Sequence, residues 1–290
     1  MVAKNALVDE LESLGIRSGA CVLVRAGLRA MVHTPDPGNS LLDALLEVVG
    51  PGGTVVVLAH TGVHTKSSSP HNVMDQQSPA ITGGVANTVL GRENRRRSSH
   101  PTHSIAAIGR NAENITRRHT KDVPCFNFVE DLLELDAQML LVGCVWSGPG
   151  FSTTDYALLR NQAVFRTKRR RSDRNVGSWY QANDGSTDWF ERTDDPGCSK
   201  GYSNLYMNYL HAEILRSGTV GGAFSLAISA RAALEVDQAS IEANPKCILC
   251  DDRLCYSCRY SRHFNKSDRF MFLFSALRHR AESGFKKITR

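Results

Sequence analysis

The 290-residue chain is predicted to be an α/β protein with helices packed on both faces of its sheet. The β-branched run at 54–59 has almost no polar alternation, which is typical of a strand buried on both faces. Helical patterns alternate with such runs along the chain, as they do in layered α/β cores. The content of 41% apolar residues is ordinary for a globular protein. The apolar runs are much shorter than the roughly 20 residues of a membrane span, so no membrane partner is expected.

Each element follows from local signals. The helix predicted at 40–49 takes its N-cap from Asn39 or Ser40 and ends at the glycine-rich turn 50–53. The pattern around Asn183-Asp184-Gly185 predicts a β-hairpin within 176–192. The polar stretch 61–79 predicts a long loop that forms a lid or rim of an active site. Further helices are predicted at 6–14, 83–92, 111–118, from about 154, 205–215 and 226–236, and further strands at 21–24, 104–108 and 139–144.

Charge is unevenly distributed along the chain. The net charge is +6, and residues 246–290 hold 11 basic against 4 acidic residues, so the remaining chain is close to neutral. A basic appendage on a neutral body suggests a polyanionic partner, although solvated helix faces are the alternative. The first residues have an acidic, amphipathic helical pattern instead of a signal peptide, so we expect a cytoplasmic protein with reduced thiols.

Four cysteines have the spacing of a metal site. Cys247, Cys250, Cys255 and Cys258 form a CxxC-x4-CxxC pattern, whose thiolates suit one tetrahedral zinc ion. Because four protein ligands leave no open position, a structural role is expected. Disulfides and an iron-sulfur centre are the alternatives. We therefore predict a core at 1–245 and a basic zinc-knuckle tail at 246–290, with nearby aromatic and basic residues forming either an RNA-binding surface or packing contacts.

Several segments resemble the aminoglycoside 3-N-acetyltransferase family. The clearest is RSSHPTHSIAAIGRNAENIT at 97–116, and GPGGTVVVLAHT at 50–61, LDAQMLLVG at 135–143 and GTVGGAFSLAISARAAL at 218–234 follow the family in the same order. The resemblance covers about residues 5–236. It implies an α/β/α sandwich that transfers an acyl group to an amine.

Two motifs depart from the family pattern. A loop that resembles VHSSL in the family, where small hydroxyl residues help hold acetyl-coenzyme A, reads VRAGL here. Ala26 and Gly27 stand at the two hydroxyl positions, and Arg25 adds a positive charge. The family's TTLHxxE motif reads TTDYALL, so Tyr156 aligns with the expected general base and Leu159 with its glutamate. We expect Asp155 to pair with the attacking ammonium and take up its proton, and Tyr156 to donate a hydrogen bond.

Other residues are candidates for the same site. His60, His100 and His103 could act as the base, since strand ends in α/β sheets are where ligands bind, although a structural role is open for each. For donor or substrate binding, the candidates are Arg25, Gly27, His64, Thr154, Arg169 and Arg170.

These departures lead to a specific prediction about the donor. An aminoacyl-tRNA is a polyanion with an activated ester, and it suits a basic tail and a weak base, so it is the predicted donor, with no coenzyme A required. The acceptor would be the amine of an antibiotic, a peptide or a peptidyl-nucleoside intermediate. Two alternatives stay open: an acetyl-coenzyme A-dependent N-acetyltransferase of an amino-bearing antibiotic, and a non-catalytic relative that binds nucleic acid.

Overall fold

The computed structural model describes residues 4–67, 73–161, 175–182, 184–261 and 268–288. The strands are β1 (Cys21–Ala26), β2 (Thr54–Leu58), β3 (His64–Thr65), β4 (Arg96–Arg97), β5 (Ile105–Gly109), β6 (Gln138–Val142), β7 (Val176–Gln181), β8 (Thr187–Glu191), β9 (Arg216–Val220) and β10 (Ala223–Ser229). The helices are α1 (Lys4–Ser13), α2 (Pro37–Val49), α3 (Gly84–Leu90), α4 (Ala112–Arg118), α5 (Phe128–Glu134), α6 (Ser152–Arg160), α7 (Tyr206–His211), α8 (Ala230–Ala243), α9 (Tyr256–Ser261) and α10 (Asp268–Ile288), and 3-10 turns lie at Leu28–Ala30, Lys200–Leu205 and Pro245–Ile248.

The main sheet is built around β1. It has seven strands in the order β4-β5-β2-β1-β6-β10-β9. β1 runs parallel to β2 on one side and to β6 on the other, with Leu23 opposite both Val56 and Met139. β5 and β10 extend the sheet in antiparallel fashion. The carboxyl ends of β1, β2 and β6 therefore meet at one edge, where the chain order switches direction.

Side chains from both faces of the sheet are buried. On one face, Val22 and Val24 pack with the apolar residues of α1, α2 and α3. On the other, Cys21 and Leu23 pack with those of α4 to α8. The chain is thus an α/β/α sandwich, which confirms the predicted class, and the two-sided burial explains why the central strands are β-branched without alternation.

Some predicted elements differ in extent. The helix predicted at 40–49 begins three residues earlier, at Pro37, because Asp36 caps it by accepting a hydrogen bond from the Asn39 amide. The helix predicted at 226–236 is the end of β10 followed by α8. The pattern misled because Leu226, Ala227 and Ile228 are buried in a strand that is covered on both faces, and a buried strand resembles a buried helix in sequence.

The C-terminal segment packs onto the body through the two later 3-10 turns. Asn204 Nδ2 donates to the carbonyl oxygen of Cys247 at 2.9 Å. Gly201 lies so close to this segment that a Cβ atom there would be 2.5 Å from the carbonyl oxygen of Ile248. The predicted boundary at residue 245 stays a prediction. In the described ranges, we find no helix with the length and apolar content that a bilayer crossing needs.

Gly27 is required by a close approach between the ends of β1 and β6. Its amide donates to Val142 O at 2.8 Å, and a Cβ atom at this position would lie 2.7 Å from the carbonyl oxygen of Gly143. We predict that Gly27→Ala lowers the free energy of unfolding, because one of the two strand ends must move. Chemical denaturation followed by circular dichroism measures the loss.

Gly19→Ala is the matched control for this prediction. Gly19 has φ +81, and a Cβ atom added there would have no other atom within 4 Å, so alanine adds only left-handed strain of about 1–2 kcal/mol. Gly27 has φ −91, so its loss would come from the contact alone. A smaller loss for Gly27→Ala than for Gly19→Ala would contradict the steric argument.

Candidate active site

A cavity of about 440 Å³ lies at the carboxyl ends of β1 and β2. It brings together four of the predicted site residues, namely Arg25, His60, His103 and Asp155. Its other walls come from β1, β2, the start of α3, and the loop after β8, and they include Val24, Val57, Leu58, Ile81, Thr82, Gly83, Val85, Ala86, Phe126, Asp195, Pro196, Gly197 and Ser199. The cavity occupies the switch point of the sheet, where α/β folds bind ligands.

Asp155 lies in the first turn of α6, half-buried in the cavity wall. The hydroxyl of Tyr202, itself buried, donates to Asp155 Oδ1 at 2.7 Å. This contact fixes one carboxylate oxygen and orients the group. The structure therefore places Asp155 where its predicted role requires, within the cavity and held by a neutral donor.

Thr154 precedes Asp155 in the helix but faces the other way. Its hydroxyl donates to the buried carboxylate of Asp237 at 3.2 Å, and Tyr209 also donates to that carboxylate. Burial raises the pKa of Asp237 to about 7, and the hydrogen bonds from these hydroxyls oppose the rise. Thr154 thus belongs to a core network and not to the cavity lining, contrary to its predicted role in binding.

Tyr156 also faces away from the cavity. Its hydroxyl donates to Glu130 Oε1 at 3.0 Å, and Arg160 contacts the same oxygen at 3.0 Å while lying 5.3 Å from the centre of the Tyr156 ring. Burial and the bond to Glu130 raise the pKa of Tyr156. Successive residues of α6 point about 100° apart around the helix axis. With Asp155 in the cavity wall, Tyr156 points toward Glu130 and is not part of the cavity lining, so it does not contact a substrate in the cavity.

Four imidazole rings form what we call the histidine cluster: His60, His100, His103 and His119. The rings of His60 and His103 meet edge to face with centroids 4.6 Å apart. His100 stacks on His119 at 4.9 Å and lies 5.8 Å from His103. His60 and His103 line the cavity, whereas the other two lie outside its lining. The spacing of the HPTHS motif brought His100 and His103 together, but nothing in the sequence predicted His119.

Burial keeps these histidines neutral. It lowers the pKa of His60 to about 3 and that of His100 to about 4. Repulsion from a charged His100 and from Arg25 also contributes to the lowered pKa of His60. Burial is also the main reason why the pKa of His103 falls well below its ordinary value, and repulsion from a charged His60 is the second reason. At neutral pH the cavity therefore contains imidazole, not imidazolium.

Hydrogen bonds assign one of the tautomers. His100 Nδ1 accepts from the backbone amide of His103 at 3.1 Å, so its proton is on Nε2. The Nε2 atoms of His60 and His100 are both buried and have no hydrogen-bond partner among the described residues. His60 lines the cavity and His100 does not, so a bound molecule could reach the first of these atoms.

Among the other residues predicted to bind donor or substrate, Arg25 lines the cavity, and its guanidinium donates to the carbonyl oxygen of Gly150 at 2.9 Å. Gly27 and His64 are not part of the lining. Gly27 supports the backbone approach described above, and His64 pairs with Gly177 in the small sheet of β3, β7 and β8. Arg169 and Arg170 lie outside the described residues.

One wall of the cavity was not predicted. Asp195, Pro196, Gly197 and Ser199 belong to the loop after β8, and we call this set of lining residues the 195–199 wall. Asp195 accepts from the Gly197 amide at 2.8 Å and pairs with Arg192 at 2.8 Å. The Asp-Asp-Pro-Gly run indicates a turn but not its location in the fold.

The cysteines group differently from the predicted pattern. The Sγ atoms of Cys198, Cys250, Cys255 and Cys258 all lie within 4.8 Å of one another. Cys247 is outside this group, and its Sγ contacts the carbonyl oxygen of Ser240 at 3.7 Å. The cysteine group therefore differs from the predicted one, with Cys198 in place of Cys247, because the 3-10 turn Pro245–Ile248 packs Cys247 against the end of α8. All eight cysteines lie in described segments, and none forms a disulfide.

The chain is a layered α/β protein with a cavity at the switch point of its main sheet, and comparison with known proteins identifies its family. The family profile described as aminoglycoside 3-N-acetyltransferase matches residues 23–242, so the chain belongs to this family. Aminoglycoside N(3)-acetyltransferase IV of Salmonella sp. is 32% identical over 146 residues, which cover 48% of this chain and 53% of that protein. An aminoglycoside N(3')-acetyltransferase-like protein of Bacillus subtilis, YokD, is 22% identical over 138 residues, covering 40% and 50%. The chain thus matches about half the length of these relatives.

Solved structures share the fold over most of the chain. The apoenzyme of aminoglycoside acetyltransferase AAC(3)-IVa has a TM-score of 0.71 at 24% identity, with 88% of this chain and 94% of that one covered. AAC-VIa bound to sisomicin has a TM-score of 0.70 at 24% identity, covering 83% and 98%. AAC-IIIb in a binary complex with CoASH has a TM-score of 0.69 at 21% identity, covering 83% and 97%.

The CoASH complex overturns two predictions. Aminoacyl-tRNA as the donor partner and the absence of a coenzyme A requirement are both wrong. The positive charge of the VRAGL loop does not require a polyanionic donor, because the Arg25 guanidinium donates to the carbonyl oxygen of Gly150. In the tail, Arg278 pairs with Asp252 at 3.0 Å and with Glu282 at 2.8 Å, so this base is neutralised within the chain.

We predict that the buried histidines make the protein acid-sensitive. Between pH 6.5 and about 4, the unfolded chain binds a proton at residue 100 that the folded chain does not, so lowering the pH favours unfolding. His100→Asn removes the titrating group and keeps an acceptor near the Nδ1 position. From pH 6.5 downward, the free energy of unfolding of wild type should fall relative to that of this variant by about 1.4 kcal/mol for each pH unit.

Urea denaturation of both proteins from pH 7 to pH 4.5 measures this difference. The other histidines titrate in both proteins, as do Asp131 and Asp237, whose raised pKa values act in the opposite direction, so their contributions cancel. A difference in stability that stays constant over this range would contradict the assignment of a lowered pKa to His100.

Proposed function

We propose that the chain is an acetyl-coenzyme A-dependent N-acetyltransferase that modifies an amine of an amino-bearing antibiotic. The observation that carries this proposal is the cavity that joins the Asp155 carboxylate to neutral His60 and His103 at the switch point of the sheet. Support comes from the family membership, from the CoASH bound by AAC-IIIb and from the sisomicin bound by AAC-VIa.

The cavity suits a small cationic acceptor. Its volume of about 440 Å³ falls in the range of about 300–1,000 Å³ that small-molecule sites have. Asp155 and Asp195 both line it, and the neutral imidazoles add no positive charge. An ammonium group is therefore attracted mainly to Asp155, because Asp195 is already paired with Arg192 and Arg25 adds a positive charge to the lining.

The reaction joins the amine nitrogen to the acetyl carbon and breaks the carbon–sulfur bond of the thioester, releasing the coenzyme as its thiol. The ammonium loses one proton to become a nucleophilic amine, and a second proton leaves the nitrogen as the amide forms and goes to the departing sulfur. Asp155, which accepts from Tyr202, would pair with the ammonium and accept the first proton. His60 and His103 are neutral, so their ring N–H groups can hydrogen-bond to the oxygen of the tetrahedral intermediate.

The proposal is tested by incubating the purified protein with acetyl-coenzyme A and single amines. Sisomicin, gentamicin and apramycin are suitable acceptors, because structural neighbours contain them. We expect an acetylated amine, identified by mass spectrometry, that depends on acetyl-coenzyme A. The absence of product from every amine tested, with a protein that unfolds cooperatively, would count against an acetyltransferase.

Within this proposal, we predict that Asp155→Asn lowers turnover by roughly 10²-fold or more, the size typical of a positioned acid–base group. Asparagine keeps the shape and can still accept from Tyr202, but it has no charge. Steady-state kinetics with the best acceptor measures the effect on kcat.

Asp9→Asn is the matched control, since Asp9 is exposed on α1 and the substitution changes the net charge equally. Wild-type turnover in Asp155→Asn, with a large defect in His103→Ala or His60→Ala, would transfer the role of base to a histidine. Equal defects in the Asp9 and Asp155 variants would indicate an effect of net charge alone.

A further inference from the structure

We propose that Cys198, Cys250, Cys255 and Cys258 bind one structural zinc ion, and that this ion fixes the 195–199 wall of the cavity. The four Sγ atoms lie within 4.8 Å of one another. Four sulfurs at about 2.3 Å from a tetrahedral zinc ion are about 3.8 Å apart. Cys250 Sγ and Cys258 Sγ are 3.7 Å apart, which matches this edge and is far longer than the roughly 2.05 Å of a disulfide bond.

Backbone hydrogen bonds hold the tail ligands in position. The Cys255 amide donates to the carbonyl oxygen of Asp252 at 3.0 Å, and the Leu254 amide donates to Asp252 Oδ1 at 2.9 Å. This turn places Cys255 at the start of α9, and Cys258 follows one turn later within the helix. Three thiols are thus arranged by local structure, and only the fourth ligand has to come from elsewhere.

Cys198 supplies that ligand from the cavity wall. Its two neighbours, Gly197 and Ser199, both line the cavity. The next turn, Lys200–Leu205, packs on the 3-10 turn Pro245–Ile248, so the loop already lies against the tail segment. A metal–sulfur bond to Cys198 would join the loop to the tail beside the site of the proposed reaction.

The donor set decides which ion fits. Four thiolates suit zinc or iron, and a closed four-cysteine shell leaves no position for water or substrate, so the ion would be structural. In a cluster of several irons, the cysteines bind different metal atoms and are further apart than these four, whose Sγ atoms lie within 4.8 Å of one another. The distances therefore fit a single tetrahedral ion. We assign this ion as zinc, because zinc is the usual ion of closed four-cysteine structural sites, and metal analysis distinguishes it from a single iron.

Metal analysis of full-length variants tests the ligand set. We expect about one zinc per chain in wild type and in Cys247→Ser, which is the matched control because Cys247 belongs to the CxxC pattern but not to the group. Cys198→Ser should bind zinc at least about 10-fold more weakly in competition with a chromogenic chelator. Fresh wild-type protein without metal, or with iron and visible absorbance, would overturn the proposal, as would zinc loss in Cys247→Ser with full retention in Cys198→Ser.

A second measurement covers the case in which Cys198→Ser fails to fold. Wild-type protein is alkylated with and without a zinc chelator, and the modified cysteines are located by mass spectrometry. The chelator should raise the reactivity of Cys198, Cys250, Cys255 and Cys258 together and leave that of Cys247 unchanged. Equal reactivity of Cys198 with and without chelator would overturn its place in the site.

The effect of the ion on the cavity rests on the proposed function, and the KM for the amine measures it. Removing the ion should raise the KM for the amine several-fold with a smaller change in kcat, because the 195–199 wall would be less ordered while Asp155 stays on α6. Re-addition of zinc should restore the KM in wild type and Cys247→Ser. An unchanged KM after complete metal removal would overturn the role of the ion in fixing the 195–199 wall. The metal content tests the ion site itself, even if no acetyl transfer is found.

Discussion

The parallel pairing of β1 with β2 on one side and β6 on the other is the constraint on which the rest of the structure depends. Because β1 is bordered on both sides by parallel neighbours, three strand ends meet at one edge and leave a crevice between the loops that follow them. Arg25 and His60 reach the cavity from the first two of these ends. The apolar packing of both faces keeps these strand ends in fixed positions, so the core supports the part of the site that Arg25 and His60 form.

Burial determines the charge of the site as much as the residue types do. Histidine in water is partly protonated near neutral pH, but the histidine cluster has little solvent to stabilise a charge. The carboxylates that line the cavity instead keep contact with polar groups, as Asp155 does with Tyr202 and Asp195 with Arg192. The cavity therefore combines acidic groups with neutral hydrogen-bonding rings, although its residue types alone suggest a basic site.

The sequence predicts those parts of the molecule that depend on neighbouring residues. The two-sided strands, the hairpin of β7 and β8 and the position of Asp155 in a helix entered from a glycine loop all follow from short patterns. The positions of Asp195 in the cavity lining and of Cys198 beside the tail cysteines do not follow from such patterns. Tertiary packing alone brings their loop to the cavity and to the tail. The CxxC spacing similarly could not reveal that a turn directs Cys247 to α8.

The contact between Asn204 and the carbonyl oxygen of Cys247 joins residues that are 43 positions apart. On the ribosome, the loop that closes one side of the cavity is therefore made well before the segment that supports it. At elongation rates of about 5–20 residues per second, that delay lasts for seconds, longer than many small domains need to fold. The loop is therefore made before β9, β10 and α8 complete the sandwich, and the pocket acquires its final shape only when the tail has emerged.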